Sequence, residues 1–562
     1  MKKDSSLLVP LQHRAQTQPE RTMLTFLHDD QTFTEQTNRQ IWEEVQSYAA
    51  ALHQTGVQAG DLVILVLPQS LELVYAFLGT VYLGAVPSVF AFLSPRMDEE
   101  IYRQRIKTLA AKSGATCVIT FPVMQAEVEA LLSGLACQVL THDAVKNQYL
   151  TNRKTVPLST RSGQDIAYVQ YSSGTTGLQK GVAITHEDLL EQIEALSTVV
   201  NLQPDDIQVS WLPLNHDMGL MAGLLLPLIY GIPLVLMSPF YWVRSPAVLF
   251  WTIDKLHATH CYMPNFAYSH CTLNIRERDL TGLDLSHMRM FMNGGEPIYD
   301  ETLTGFLKRF APYGIQPEMI SAGYGLAEVS GAVSVTPTGQ FPRIDWVDTE
   351  LISRSQIAQT ISPDSEHKMS IVSCGKLSPG AQVRIVDGAE NDLPERRVGE
   401  VLIGGSFTFK GYLQQMDTND APHNDGWLRT GDLGYLADGE LYICGRKKDM
   451  MIIGGQNLFP EYLEQAVLEI PEIRPGRTVV FGMEDPKLRT EMAVMVCELK
   501  EALPEDEQRR VIREVRRRVV LATDIALGDV RLVERGWIHK TSSGKMSRNL
   551  NREKYINEFK ER

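Results

Sequence analysis

Apolar runs of strand length, alternating with helical patterns, constrain this chain more than any other feature of its sequence. Asp61-Leu62-Val63-Ile64-Leu65-Val66-Leu67 places apolar side chains on both sides of an extended backbone, so both faces of such a strand need cover. A helical pattern from about Ser70 to Tyr82 follows, and then Gly84-Ala85-Val86-Pro87. Thr116-Cys117-Val118-Ile119-Thr120 and Pro233-Leu234-Val235-Leu236-Met237 repeat that texture. Covered strands joined through helices predict an α/β protein with parallel sheets flanked by helices. From about Gly380 the segments shorten and alternate, as in Val383-Arg384-Ile385-Val386-Asp387-Gly388 and Gly399-Glu400-Val401-Leu402-Ile403-Gly404. They predict a small, partly antiparallel β subdomain at about 375–447. Strands at Thr478–Phe481 and Met492–Glu498 and an arginine-rich helix then suit a small α+β domain. The expected division is an N-terminal domain, 1–447, and a C-terminal domain, 448–562.

Length and charge narrow the function. At 562 residues the chain exceeds one ordinary domain. Asp+Glu 68 against Lys+Arg 54 leaves a net charge of −14, and nucleic-acid binding needs the opposite balance. No nucleic-acid partner is expected. Seven scattered cysteines without a C-x-x-C pair fit a reducing, cytoplasmic setting rather than a disulfide framework or zinc site. Basic Met1-Lys2-Lys3 is followed by no apolar signal core. From Met218 to Val243 no residue is charged, long enough to span a bilayer. Gly219, Gly223, Pro227, Gly231, Pro233 and Pro239 interrupt it, so the expectation is a buried helix, a turn and a buried strand, with no transmembrane segment.

The strongest chemical signal is Tyr171-Ser172-Ser173-Gly174-Thr175-Thr176-Gly177-Leu178-Gln179-Lys180-Gly181. It follows a strand pattern, Ile166 to Gln170, and precedes a helix opened by a capping box, Thr185-His186-Glu187-Asp188. Glycines admit phosphate oxygens close to the backbone, hydroxyls and amides donate to them, and Lys180 adds a point charge. This is a phosphate-binding loop but not a Walker A loop, since no Gly-Lys-Ser/Thr occurs in it. A bare Gly/Ser/Thr run is more often a polar surface loop; the full eleven-residue pattern argues otherwise.

Further motifs follow in order: Trp211-Leu212-Pro213-Leu214-Asn215-His216-Asp217-Met218-Gly219, Asn293-Gly294-Gly295-Glu296-Pro297, Gly323-Tyr324-Gly325-Leu326-Ala327-Glu328, Trp427-Leu428-Arg429-Thr430-Gly431-Asp432-Leu433, Gly445-Arg446-Lys447-Lys448-Asp449 and Thr541-Ser542-Ser543-Gly544-Lys545. With the loop, this set resembles the adenylate-forming superfamily of acyl-CoA synthetases, peptide-synthetase adenylation domains, luciferases and fatty acyl-AMP ligases. The resemblance implies ATP-dependent activation of a carboxylate and a mobile C-terminal domain carrying Lys545. Two anions must then react, so catalysis rests on positioning and charge neutralisation.

By that resemblance Lys180, Glu328 and Lys545 are the catalytic residues, with Mg²⁺ held by Glu328 and Lys545 reaching the reacting carboxylate and α-phosphate. Ser172, Ser173, Gly174, Thr175, Thr176 and Gly177 would bind the ATP phosphates. Asp432 would accept from the ribose hydroxyls with Arg446 assisting; Gly294, Gly295 and Glu296 would frame the adenine, with Tyr324 and Gly325 beside it. His216, Asp217 and Met218 would line the acyl site, and Lys448 would be the hinge. Individually each has a plainer reading, from turn chemistry to a solvated charge run.

Three features resemble the fatty acyl-AMP ligase branch. Ala327 stands where many CoA ligases carry a threonine, Pro264-Asn265-Phe266-Ala267-Tyr268 and the tryptophan motif match that branch, and Gly375 lies 47 positions after Glu328. That interval is longer than in CoA-ligase relatives and matches an insertion, centred on 345–370, thought to hinder the rearrangement needed for CoA use; a passive surface loop fits its polar composition too. Gln179 and Lys448 depart from the proline and aspartate common at their positions. The implied activity is formation of a fatty acyl adenylate, then loading of a separate phosphopantetheinylated acyl carrier protein. The rivals are an acyl-CoA synthetase, an amino- or aryl-acid adenylating enzyme, and an inactive binding protein. Arg509, Arg510, Arg513, Arg516, Arg517 and Arg518 could dock an acidic carrier, although a solvated amphipathic helix with Val511, Ile512, Val515 and Val519 inward explains them more simply.

Overall fold

The computed structural model describes residues 6–92, 99–152, 156–171, 180–406, 409, 411–413, 423–424, 426–453, 456–485, 490–523, 525–540 and 546–560. Its centre is a parallel run of six strands, in the spatial order Thr22–Leu27, Leu234–Met237, Gln208–Ser210, His260–Met263, Met290–Gly294 and Ile320–Leu326. Their side chains are buried on both faces, as continuous apolar strands require. A second sheet, ordered Val86–Val89, Leu62–Leu65, Cys117–Thr120, Gln138–Thr141, is parallel throughout. The α/β expectation holds, and the helix predicted from Ser70 runs over Leu71–Leu83 with Ser70 capping it through Leu73 N–H.

The antiparallel strands are not a detached unit. Ser334 and Val335 pair with Leu377 and Lys376, so the strands Lys368–Leu377, Glu440–Arg446, Trp427–Ala437, Gly399–Gly405 and Ala381–Val386 continue the central sheet. Antiparallel order begins at Gly331–Val335, which folds back on Ile320–Leu326. The uncharged stretch from Met218 forms a π-helix, Met218–Leu225, a short α-helix, Leu226–Tyr230, a left-handed turn at Gly231 and the strand Leu234–Met237. No described helix is long and apolar enough to cross a membrane.

Residues from Met451 onward build cores of their own around the sheet Ile473–Asp485, Thr490–Leu499, Asp529–Val533. In the arginine-rich helix Glu505–Thr523, Val511, Val515 and Val519 face inward. Its arginines pair with carboxylates of the same domain: Arg509 with Glu505, Arg510 with Glu472, Arg517 and Arg518 with Glu514. That arrangement matches the amphipathic reading. The interval before Gly375 is ordered as a strand, Ile344–Asp348, a helix, Thr349–Ser355, and the start of Lys368–Leu377. Asp348 caps that helix through Glu350 and Leu351 N–H.

Candidate active site

The carboxyl ends of the parallel strands open on one edge, where ligands of such sheets bind. Strand Met290–Gly294 delivers Gly294 and Gly295 there, and Ile320–Leu326 delivers Tyr324 and Gly325. Gly295 has φ +81°, a backbone that side chains resist, and a Cβ on it would lie 3.8 Å from Met218 Cε and 3.9 Å from His216 Cε1. The substrate-site candidates thus close over the glycine strand. At Gly325 a Cβ would fall 1.9 Å from the Gly331 carbonyl oxygen, so the hairpin that carries Glu328 admits no side chain there.

Two carboxylates organise this edge. Asp432 is buried; its Oδ2 accepts the Tyr324 hydroxyl at 2.6 Å and its Oδ1 lies 3.2 Å from Arg446 Nε. Strand pairing sets Asp432 opposite Arg446, and the Thr430 hydroxyl accepts the Asp432 N–H. The Asp432 charge raises Arg446 above the usual guanidinium range, and burial pushes the Tyr324 phenol well up. Glu328 is the second. Tyr412 donates its hydroxyl to Glu328 Oε1 at 3.1 Å, and the Glu328 carbonyl accepts the Phe409 N–H. Loss of water raises the Glu328 pKa, and the Asp217 charge pushes the same way against Tyr412 and Lys180.

Residues Ser172, Ser173, Gly174, Thr175, Thr176 and Gly177 lie outside the described residues, as does Lys545. Their flanks are informative. Tyr171 pairs with Gly181 in the hairpin Ile166–Tyr171 and Gly181–Thr185, so the two flanks of the expected phosphate loop lie side by side. Thr185 caps the next helix through Asp188 N–H. Lys180 Nζ lies 4.5 Å from the Tyr412 ring centroid, within cation–π reach, and Val182 bridges Tyr412 through the backbone. One tyrosine therefore touches both Lys180 and Glu328. The sequence reading missed Tyr412, because nothing in its local pattern reveals a partner 84 positions earlier.

His216 Nδ1 lies 2.7 Å from Asp217 Oδ1, and the Met218 N–H donates to the same carboxylate at 2.8 Å. The acidic neighbour thereby opens the π-helix and holds the imidazole beside it, whose Nδ1 also accepts the Met218 N–H at 3.3 Å. Glu296 accepts the backbone N–H of Phe266 at the start of the helix Asn265–Asn274, which ties the glycine strand to its neighbour. Lys448 is exposed between two anchors: Lys447 Nζ meets Glu400 at 2.9 Å, whereas Asp449 lies 3.8 Å from Arg548.

Cations and donors turned toward the carboxyl edge of a parallel sheet define a nucleotide-binding enzyme of the α/β class. The comparison with known proteins supplies the family: residues 11–413 match the AMP-binding enzyme model, and the chain belongs to that family. It is an adenylate-forming ligase and draws on ATP. It is 29% identical to the medium-chain-fatty-acid–[acyl-carrier-protein] ligase JamA of Moorena producens, over 98% of this chain and 95% of that protein. It is 32% identical to the long-chain-fatty-acid–AMP ligase FadD26 of Mycobacterium bovis, over 98% and 97% respectively. A solved structure from work on fatty acyl-adenylate ligases of E. coli and L. pneumophila superposes with a TM-score of 0.91 at 28% identity, covering 99% of both chains.

Proposed function

We propose that this chain activates a fatty acid with ATP to the acyl adenylate and pyrophosphate, and passes the acyl group to a separate phosphopantetheinylated acyl carrier protein for polyketide or lipopeptide assembly. The observation that carries the reading is the joint assembly of Lys180, Tyr412 and Glu328 beside Asp432, Arg446 and Tyr324, in a chain similar along its length to fatty-acid ligases. Asp432, held by Tyr324 and Arg446, presents its carboxylate to ribose hydroxyls as an acceptor. Gly294, Gly295 and Glu296 frame the base. His216 and Met218, which close over Gly295, orient the fatty carboxylate, with Asp217 setting the imidazole.

Glu328 suits Mg²⁺. Its half-buried carboxylate has a pKa raised chiefly by loss of water, and a second carboxylate, Asp217, adds like charge, which a cation relieves. When bound, Mg²⁺ withdraws charge from the phosphate oxygens. Lys180 and the loop Ser172–Gly177 hold the phosphates, and Lys545 neutralises charge between carboxylate and α-phosphorus as pyrophosphate leaves. Cytoplasmic operation and the N-terminal and C-terminal domains at 1–447 and 448–562, hinged at Lys448, belong to the same reading. The opposed anchors of Lys447 and Asp449 support the hinge.

A carrier rather than CoA is favoured by the 345–370 segment. Val347, Ile352, Ala358, Met369 and Ile371 pack in one apolar cluster with Phe459 and, at its margin, Tyr462, both beyond the hinge. Rotation of the C-terminal domain would expose that surface, at about 25 cal/mol per Å². The test is incubation with ATP, Mg²⁺ and a fatty-acid series, with and without CoA, with products read by mass spectrometry. Acyl adenylate that persists despite CoA is expected. Efficient acyl-CoA formation would show the acyl-CoA synthetase instead, and no adenylate from any acid would leave a binding protein. Lys545→Ala should nearly abolish adenylate formation while circular dichroism stays unchanged.

A further inference from the structure

Lys540 lies in the C-terminal domain, yet its ammonium reaches the N-terminal one. Nζ sits 5.8 Å from the Phe266 ring centroid. Phe266 donates its backbone N–H to Glu296, so ring and carboxylate form one socket at the end of the glycine strand. Among the charges around Lys540, the Glu296 carboxylate does most to favour the cation, while loss of water pushes its pKa below the ordinary lysine range. The socket is backed by a rigid wall, since the Phe266 ring meets Trp211 and Trp242, themselves stacked at 3.5 Å.

The segment bearing Lys540 is equally well held from behind. Glu498 is fully buried and accepts the backbone N–H of Gly536 and Ile538, at 3.1 and 2.8 Å, while Arg474 balances its charge. Asn551, also fully buried, accepts the His539 N–H and donates to the carbonyls of His539 and Ser547. Lys540 itself bridges Met546. A half-buried lysine on a stem pinned through its backbone is poorly explained as a solvated tail residue.

We propose that Lys540 is a positioning residue that seats the C-terminal domain on the N-terminal site, through the Phe266 ring and the Glu296 carboxylate, in the orientation that forms the adenylate. The inference rests on the adenylation reading above. Lys540 acts through Phe266 and Glu296; it fixes where the chain five residues before Lys545 meets the glycine strand. Small misplacements of a catalytic group suffice to cost large factors in rate.

The test uses Lys540→Met, which keeps the length and removes the charge, and Lys540→Arg, which keeps the charge. Phe266→Leu removes the other half of the contact and serves if Lys540→Met misfolds. Spin labels at Val123→Cys and Leu521→Cys, both exposed, with Cys137→Ser to remove the one cysteine that is not buried, report the interdomain distance by electron-spin resonance. In Lys540→Met the pyrophosphate-release kcat should fall about tenfold with KM for ATP and fatty acid within about threefold, and the distance distribution should broaden. Lys540→Arg should retain both. A distribution as narrow as wild type overturns the proposal, whatever the rate, and so does a broadened distribution with full kcat. If wild-type protein makes no acyl adenylate the functional reading fails, while the distance measurement still decides the seat.

Discussion

The two sides of the seam hold their functional groups by different means. On the N-terminal side Asp432, Tyr324 and Arg446 stand on paired strands and bond directly to one another, so the sheet sets their spacing and the polar contacts refine it. On the C-terminal side the stem of Lys540 has no large sheet beneath it. It is fixed by buried polar groups, Glu498 balanced by Arg474, and Asn551, and the domain is further tied by buried Arg548 with Glu461 and Glu464. A small domain has too little apolar interior to fix a loop by packing alone, and buried ion networks supply geometry where core volume cannot. The N-terminal half therefore derives its precision from the backbone, the C-terminal half from side chains.

That contrast breaks most visibly at Arg548. Its guanidinium donates to Glu461 Oε1 at 2.6 Å, to Glu464 and to the Val480 carbonyl, with only 11% of the side chain exposed. Arg548→Met would strand two buried carboxylates, at a cost of about 3–5 kcal/mol. Hydrogen exchange should rise across peptides of 456–560 and stay unchanged in the central sheet; equal loss on both sides would refute the separation. On the N-terminal side the largest effect is on rate. Glu328→Gln should lower kcat for adenylate formation about 100- to 1000-fold, with the melting temperature nearly unchanged because the amide can still accept from Tyr412.

Acid sharpens the same contrast. His186 is 2% exposed, and its Nδ1 accepts the Leu7 N–H, so the ring is held neutral; burial lowers its pKa to about 4. His260 is fully buried beside Asp206 and is lowered to about 4 as well, again chiefly by burial. Both unfolded rings take a proton near pH 6.5, so the unfolded state binds more protons and stability falls as pH drops from about 6.5 toward 4. The C-terminal domain holds only His539, which is exposed. Denaturant titrations at pH 7 and 4.5 should show the N-terminal transition losing on the order of 5 kcal/mol, about half from each ring, and His186→Gln should roughly halve that dependence. A C-terminal transition lost first would count against it.

How much of this was legible beforehand follows from the range of the forces involved. Leu62–Leu65 and Leu234–Met237 betray themselves because a doubly covered strand must be apolar throughout, and the motif order brings Asp432, Arg446 and Glu328 to one edge. Tyr412 and Phe266 were invisible as site residues because their partners lie far away in sequence. The antiparallel strands read as a small β subdomain from their short alternating segments, and the Ser334–Leu377 pairing that ties them to the central sheet leaves no local mark. The 345–370 segment is polar on average, which hides four apolar residues, Val347, Ile352, Ala358 and Met369, that share one cluster only after the chain folds back on itself.

The smallest expected effect lies in the seam itself. Gln465 Nε2 donates to Glu301 at 3.1 and 3.2 Å and to the Ser370 hydroxyl at 3.0 Å, and Ser370 in turn donates to Asp300 at 2.6 Å. One C-terminal side chain thus binds a helix of the large domain and a strand of the 345–370 segment together. Gln465 and Ser370 are half-buried, so Gln465→Ala should cost about 1 kcal/mol, shifting the seated population about fivefold without unfolding either side. Because Gln465 and Lys540 share no partner, their effects on the interdomain distance distribution should add. If Gln465→Ala instead cost as much as Arg548→Met, the seam would be held as firmly as the domain interior. The C-terminal domain would then be one body with the large one, and buried ions would serve rigidity of the whole chain rather than of a part that must move.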